Sequence, residues 1–156
     1  SELAELKKRL EHAGLEIKIA ADESIRKASD PLEVARLQAA DIAVLKVQPL
    51  GGIAEARKIA SESGLEIVIS SALESSLGLA QGLYLAASIP TMDYACGLGT
   101  LNLLEGDICK KSMLPNNSEL ELFVPEPDPA LLEKYAATPE RTAFWQARLA
   151  RCLELL

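Results

Sequence analysis

Histidine occurs once in this sequence of 156 residues, as His12, in a charged segment with Lys7, Lys8, Arg9 and Glu11. Its neighbours offer no partner for a Ser-His-Asp triad or a histidine-bound metal, and both are set aside. Cysteine is nearly as sparse. Cys96, Cys109 and Cys152 are odd in number and lack CxxC spacing, which argues against a disulfide framework or a zinc site and for reduced, mostly buried thiols in a cytoplasmic protein. No uninterrupted run of about 18 apolar residues exists, so no membrane span is expected. Ser1-Glu2-Leu3-Ala4 carries neither the basic nor the apolar region of a signal peptide. Entry into a helical pattern at Ser1, without a methionine, predicts a further segment upstream. Basic residues number 16 against 23 acidic ones, for a net charge of −7. The basic doublets, Lys7-Lys8 and Lys110-Lys111, are short solvated runs. Binding a phosphate backbone needs clustered Lys and Arg, so nucleic acid is not an expected partner.

What is present is apolar patterning. The chain is 49% hydrophobic, enough for a core. Residues 2–13 read as a helix with Leu3, Leu6 and Leu10 on one side, and Gly14 can stop it. Residues 15–21 form a short apolar run suited to a strand. Asp30-Pro31 opens a second helix to about Ala40, with Asp30 as N-cap. Residues 42–47 are apolar on both faces, as in a buried parallel strand. A helix over 52–63, a strand over 65–69, a helix over 75–89 and a weaker strand over 91–96 follow. Such alternation indicates βαβ units and a parallel sheet. A small doubly wound sheet and half of a barrel both fit, whereas a complete eight-fold barrel needs about 250 residues.

From Lys111 the character changes. Pro115-Asn116-Asn117 marks a turn, 119–124 alternates like an edge strand, and Pro125, Pro127 and Pro129 stiffen a connector. Thr138-Pro139 caps a last helix with Trp145, Leu149, Cys152 and Leu156 on one face, which makes Trp145 a packing anchor. The expected division is therefore 1–110 and a C-terminal extension over 111–156.

In parallel α/β folds the site lies at the C-terminal ends of the strands. Those ends read Ala21-Asp22-Glu23-Ser24, Lys46-Val47-Gln48-Pro49, Ser70-Ser71-Ala72-Leu73-Glu74 and Cys96-Gly97-Leu98-Gly99. Lys46 follows Ile42, Ala43, Val44 and Leu45, so its stem is buried. It is either a desolvated acid, base or cation, or a lysine snorkelling from a strand end. Asp22 offers a hard oxygen of the kind Mg²⁺ prefers, or caps a turn. Ser70 and Ser71 could donate to a carboxylate, and Ser75 and Ser76 suit helix capping. Gly51-Gly52 lacks the order of a phosphate-binding loop and serves a tight turn.

Taken together, the motifs Ala21-Asp22-Glu23-Ser24, Lys46-Val47-Gln48-Pro49-Leu50-Gly51-Gly52 and Ser70-Ser71-Ala72-Leu73-Glu74-Ser75-Ser76-Leu77-Gly78 resemble the enolase superfamily. More narrowly, they resemble its muconate-lactonising branch and the o-succinylbenzoate synthases within it. The likeness runs over about 3–104 and fades in the tail. It implies a partial (β/α) barrel, roughly strands five to eight, followed by a helical tail that packs on the barrel or on the missing capping domain. It also implies a hydro-lyase of menaquinone biosynthesis with Mg²⁺ as cofactor and a small-molecule carboxylate as substrate. Asp22 becomes the third of three metal carboxylates, Lys46 the strand-six lysine facing the intermediate, and Ser70 and Gly97 the lining of a pocket for the succinyl chain. The serine-rich 70–76 stretch favours the synthase over N-acylamino-acid racemases and muconate cycloisomerases, which would use the same Asp22 and Lys46. The family's strand-two lysines, its other two carboxylates and its capping domain have no counterpart in this sequence.

Half a barrel leaves two strand edges without partners, and Ile42, Val44, Ile67 and Ile69 are expected on an inner face that loses its packing. The expected partner is the N-terminal half of the same enzyme or a second copy of the chain. A non-catalytic half-barrel interaction module, or a small doubly wound binding protein whose Lys46 holds an anion, are the competing readings.

Overall fold

The structure is a computed structural model that describes residues 2–155, so Leu156 of the expected C-terminal stripe lies outside the described residues. Helix α1 spans Glu2–His12, with Glu2 and Glu5 in its first turn and Arg9 and His12 in its last, charges that complement the helix dipole. Lys7 reaches across to Asp41 at 2.5 Å. The other Asp41 oxygen accepts from the Ile19 N–H at 2.9 Å. Lys7 first, then this backbone bond, hold the Asp41 carboxyl below its ordinary range.

That carboxylate also sets where the sheet begins. Strand β1 is only Ala20–Ala21, although apolar character starts at Leu15. The Ile19 carbonyl accepts from the N–H groups of Asp41 and Ile42, so the residues before it lie beyond the start of the neighbouring strand. Leu15 and Ile17 are accordingly exposed. Helix α2 covers Asp30–Arg36, with Ser29 rather than Asp30 at the N-cap. The Asp30 carboxylate turns back to accept from the N–H groups of Arg26 and Lys27, at 2.7 and 3.0 Å. The helix stops short of Ala40 because Gln38 adopts a left-handed φ of 50°.

Strand β2 (Ile42–Leu45), helix α3 (Ile53–Ser63), strand β3 (Glu66–Ile69) and helix α4 (Ser76–Ser88) complete two further units. The three strands are parallel in the order β1-β2-β3, with Ala20 opposite Ile42, Ile42 opposite Glu66, and Leu45 opposite Ile69. The fourth expected strand is reduced to one bridge. The Gly97 N–H donates to the Ile69 carbonyl at 2.8 Å, and the Gly97 carbonyl accepts from the Ser71 N–H at 3.2 Å. Before it, side chains rather than a ladder hold the segment: Met92 and Cys96 pack on the core, and the Tyr94 hydroxyl donates to Glu66.

The core lies on one side of this sheet. Ala21, Ala43, Leu45, Val47, Ile67 and Ile69 are buried together with Val34, Ala56, Ile59, Leu79 and Leu85 from α2, α3 and α4. Side chains alternate across a strand, so Ala20, Val44 and Val68 face the other way, where no helix among the described residues covers them. Ile67 and Ile69 therefore belong to the helix-covered face, not the inner one expected for them. A single covered face on an open parallel sheet is the architecture of a partial barrel.

After a 3-10 turn at Thr100–Leu103, the chain returns over α4. The buried Asp107 carboxylate accepts from the Ser76 N–H at 3.0 Å and the Ser76 hydroxyl at 2.5 Å, while the Ser76 oxygen accepts from the Met113 N–H at 2.7 Å. This latch caps α4 from outside the helix and replaces the serine cap expected at its start. Asn117 and Ser118, both with positive φ, make a two-residue turn closed by paired bonds between Asn116 and Glu119. The edge strand expected over 119–124 does not form. Among the described residues, antiparallel pairing in this region is confined to the short contacts of 108–110 with 126–128 and to that turn.

Helices α5 (Pro129–Lys134) and α6 (Pro139–Leu153) begin on side-chain caps from Asp128 and Thr138. No described residue of α6 is buried. Trp145 is 48% exposed and touches Phe144 edge-on at 5.3 Å, so it anchors no packing within the described residues. Cys109 is buried and Cys96 half-buried, but Cys152, on α6, is exposed. No helix among the described residues is long and apolar enough to cross a membrane.

Candidate active site at the strand C-termini

The sheet alternation carries four side-chain positions to one rim. Asp22 follows β1, Lys46 follows β2 and Ser70 follows β3, each in step with the uncovered face, and Gly97 bridges to Ser70. The Lys46 Nζ donates to Asp22 Oδ1. The side chains are 20% and 34% exposed, so the pair is sheltered yet open to the uncovered face. Turn geometry fixes Asp22, whose carbonyl accepts from the Ile25 N–H at 2.8 Å. Glu23 beside it is exposed.

On the β3 side the Ser70 and Ser71 hydroxyls both donate to the Gly97 carbonyl at 3.2 Å, and Ser71 and Thr100 share a hydroxyl contact at 2.6 Å. Gly97 has to be small: a Cβ there would stand 2.7 Å from the Ser70 Oγ. The rim thus combines a carboxylate, an ammonium and serine hydroxyls gathered on the Gly97 carbonyl.

Two rim residues were given no role by the sequence reading. Thr100 carries no local signal. Glu74 does: four positions before Gly78, it lies over bare helix backbone, where a Cβ would come within 2.6 Å of its own Cβ. Burial pushes its carboxyl up, against the opposing pull of the Ala72 N–H, the Gln48 amide and the Lys46 charge.

No group of three or more His, Cys, Asp or Glu side chains among the described residues could by itself hold a metal ion. Asp22 fits as one donor of a larger set. It is a hard-oxygen carboxylate on the uncovered face, and an ammonium already stands where a cation would approach it. A cavity of about 450 Å³ lies elsewhere, lined by Arg57, Ser61, Gly64, Glu66 and Tyr94 at the N-terminal end of β3.

The chain is similar to known proteins along its whole length. The chain is 49% identical over 156 residues to o-succinylbenzoate synthase of Mycobacterium tuberculosis, covering all of this chain and 46% of that protein. It is 48% identical over 149 residues to o-succinylbenzoate synthase of Thermobifida fusca, covering 96% of this chain and 44% of that protein. The chain therefore spans about half the length of the curated relatives it matches. Its fold superposes on muconate lactonizing enzyme from Pseudomonas putida with a TM-score of 0.71 at 23% identity, over 83% of this chain and 38% of that one. The sheet with its rim and the latch over α4 fall within residues 1–128, which match the model of the enolase C-terminal domain-like family, and to that family this chain belongs.

Proposed function

We propose that this chain is the C-terminal half of the barrel of an o-succinylbenzoate synthase. The complete enzyme is a carbon–oxygen lyase that dehydrates 2-succinyl-6-hydroxy-2,4-cyclohexadiene-1-carboxylate in the cytoplasm, for menaquinone biosynthesis. The observation that carries this reading is the pairing of Lys46 with Asp22 on the uncovered face of the sheet. It is supported by near-half identity to synthases along the whole chain.

Asp22 is one of the carboxylates that would hold a divalent cation, Mg²⁺. The remaining ligands come from the part of the enzyme outside this chain. When bound, the cation supplies the positive charge that makes a hydrogen beside a carboxylate acidic. Lys46 holds its ammonium against the anion that develops as that proton leaves to a lysine outside this chain. The carbon–oxygen bond of the ring hydroxyl then breaks, the same lysine gives its proton to the departing hydroxide to form water, and the ring becomes aromatic. Ser70 and Gly97 line the pocket for the succinyl chain, where Gly97 makes room for the Ser70 side chain and the Ser70 hydroxyl can turn from the Gly97 carbonyl to the substrate.

The test is to incubate the full-length gene product with the cyclohexadiene carboxylate and Mg²⁺ and follow the aromatic product by ultraviolet absorbance. Formation of o-succinylbenzoate that stops on chelation supports the assignment. No dehydration, with racemisation of an N-acylamino acid instead, would move it to the sister activity.

A further inference from the structure

One rim carboxylate has no part in the mechanism above. Glu74 Oε1 is buried and has no hydrogen-bond partner among the described residues. Buried polar atoms are satisfied almost without exception, so an orphaned carboxylate oxygen calls for a use. Its position is also built at a cost. Leu73, immediately before it, has φ 61°, a left-handed conformation unusual for a bulky residue. That turn lays the Glu74 stem over Gly78, where a Cβ would meet the Glu74 Cβ at 2.6 Å, its Cγ at 2.9 Å and the Gln48 amide nitrogen at 3.3 Å. Lys46 is the cation whose charge reaches this carboxylate.

Lys46 now spends its ammonium on Asp22. A divalent cation on Asp22 would take that oxygen and repel the ammonium beside it. We propose that Glu74 is a positioning residue for Lys46: its unpartnered Oε1 receives the Lys46 ammonium when Asp22 is engaged by a divalent cation. Lys46 then stays fixed at the rim as the site loads. The inference rests on the reading of Asp22 as a metal ligand.

The test uses the full-length gene product and the ¹⁵N–¹H signal of the lysine ammonium groups, with Lys46 assigned from Lys46→Ala. In the wild type, Mg²⁺ shifts the Lys46 signal but leaves it sharp. In Glu74→Gln the signal is sharp without Mg²⁺ and is lost to solvent exchange when Mg²⁺ is added. The same variant loses about 10- to 10²-fold in kcat, the usual range for groups that orient a site, with KM and thermal stability unchanged. Glu74→Asp, which keeps the charge, recovers part of the kcat and serves if the Gln variant fails to fold. A Lys46 signal that Mg²⁺ shifts identically in wild type and Glu74→Gln overturns the role of Glu74 alone. A wild-type signal that Mg²⁺ does not move overturns the metal-ligand reading of Asp22, and this inference with it.

Discussion

Lys46 and Asp22, 24 positions apart in the chain, meet as an ion pair from the C-terminal ends of two adjacent parallel strands. Neither has to be there for the sheet to form. Lys46→Ala in the full-length protein should lower kcat by at least about 10²-fold, the low end for a group that stabilises developing charge, while circular dichroism shows the fold intact. Wild-type kcat in that variant would make Lys46 a snorkelling strand residue.

The second prediction concerns Asp107, which joins the returning chain to the start of α4. Burial pushes its carboxyl up, but hydrogen bonds from the Ser76 hydroxyl, the Ser76 and Ile108 N–H groups and Ser112 outweigh it and hold the carboxyl below its ordinary value of 3.8. A depressed native pKa means stability that is present above the unfolded value and lost as pH falls through the folded one. Asp107→Asn should cost about 2 kcal/mol near pH 7, in the range for hydrogen bonds to a charged group. The gap between wild type and variant should narrow below about pH 4. Denaturant titrations at several pH values check this, and a gap that widens in acid would contradict it.

How much of this was legible in the sequence depends on which force decides each feature. The parallel αβ alternation and the Thr138-Pro139 cap are local, and they appear as read. The face assignment of Ile67 and Ile69 failed because a run apolar on both faces gives no phase. The phase comes from pairing, which puts Val68 beside Val44 and Ile69 beside Leu45. Asp22, Lys46 and Ser70 could be placed on one rim because strand ends announce themselves, whereas the position of Glu74 depends on a positive φ at Leu73 that no propensity predicts. Trp145 fell on the expected helical face, but nothing in a stripe says whether a partner is present to cover it.

That strained residue carries a prediction of its own. Leu73 is 58% exposed, so truncating it loses little burial. Leu73→Gly in the full-length protein should relieve the left-handed backbone and stabilise by about 1 kcal/mol after the entropy cost of glycine. Denaturant midpoints measure it, and a clear loss of stability would show that the Leu73 side chain is held by packing instead.

Uncovered apolar surface predicts association. Val44 and Val68 face away from the helices, and Trp145, Leu149 and Leu153 on α6 are 48%, 60% and 58% exposed. Open sheet edges and apolar patches of this kind recruit other chains. Light scattering on the 156-residue chain alone should report self-association or aggregation, and a stable, monodisperse monomer would argue for an independent domain.

The most direct test is dehydratase activity of the 156-residue chain alone and of the same chain co-expressed with the preceding half of its gene product. On the proposed reading Asp22 is a single carboxylate of a three-carboxylate set, and alone it cannot retain Mg²⁺, which sheds its waters reluctantly. The chain alone should therefore form no o-succinylbenzoate above background, and the combined halves should form it in a Mg²⁺-dependent way. Turnover by the isolated chain, or none by the two halves together when both are folded, would contradict a site shared between them.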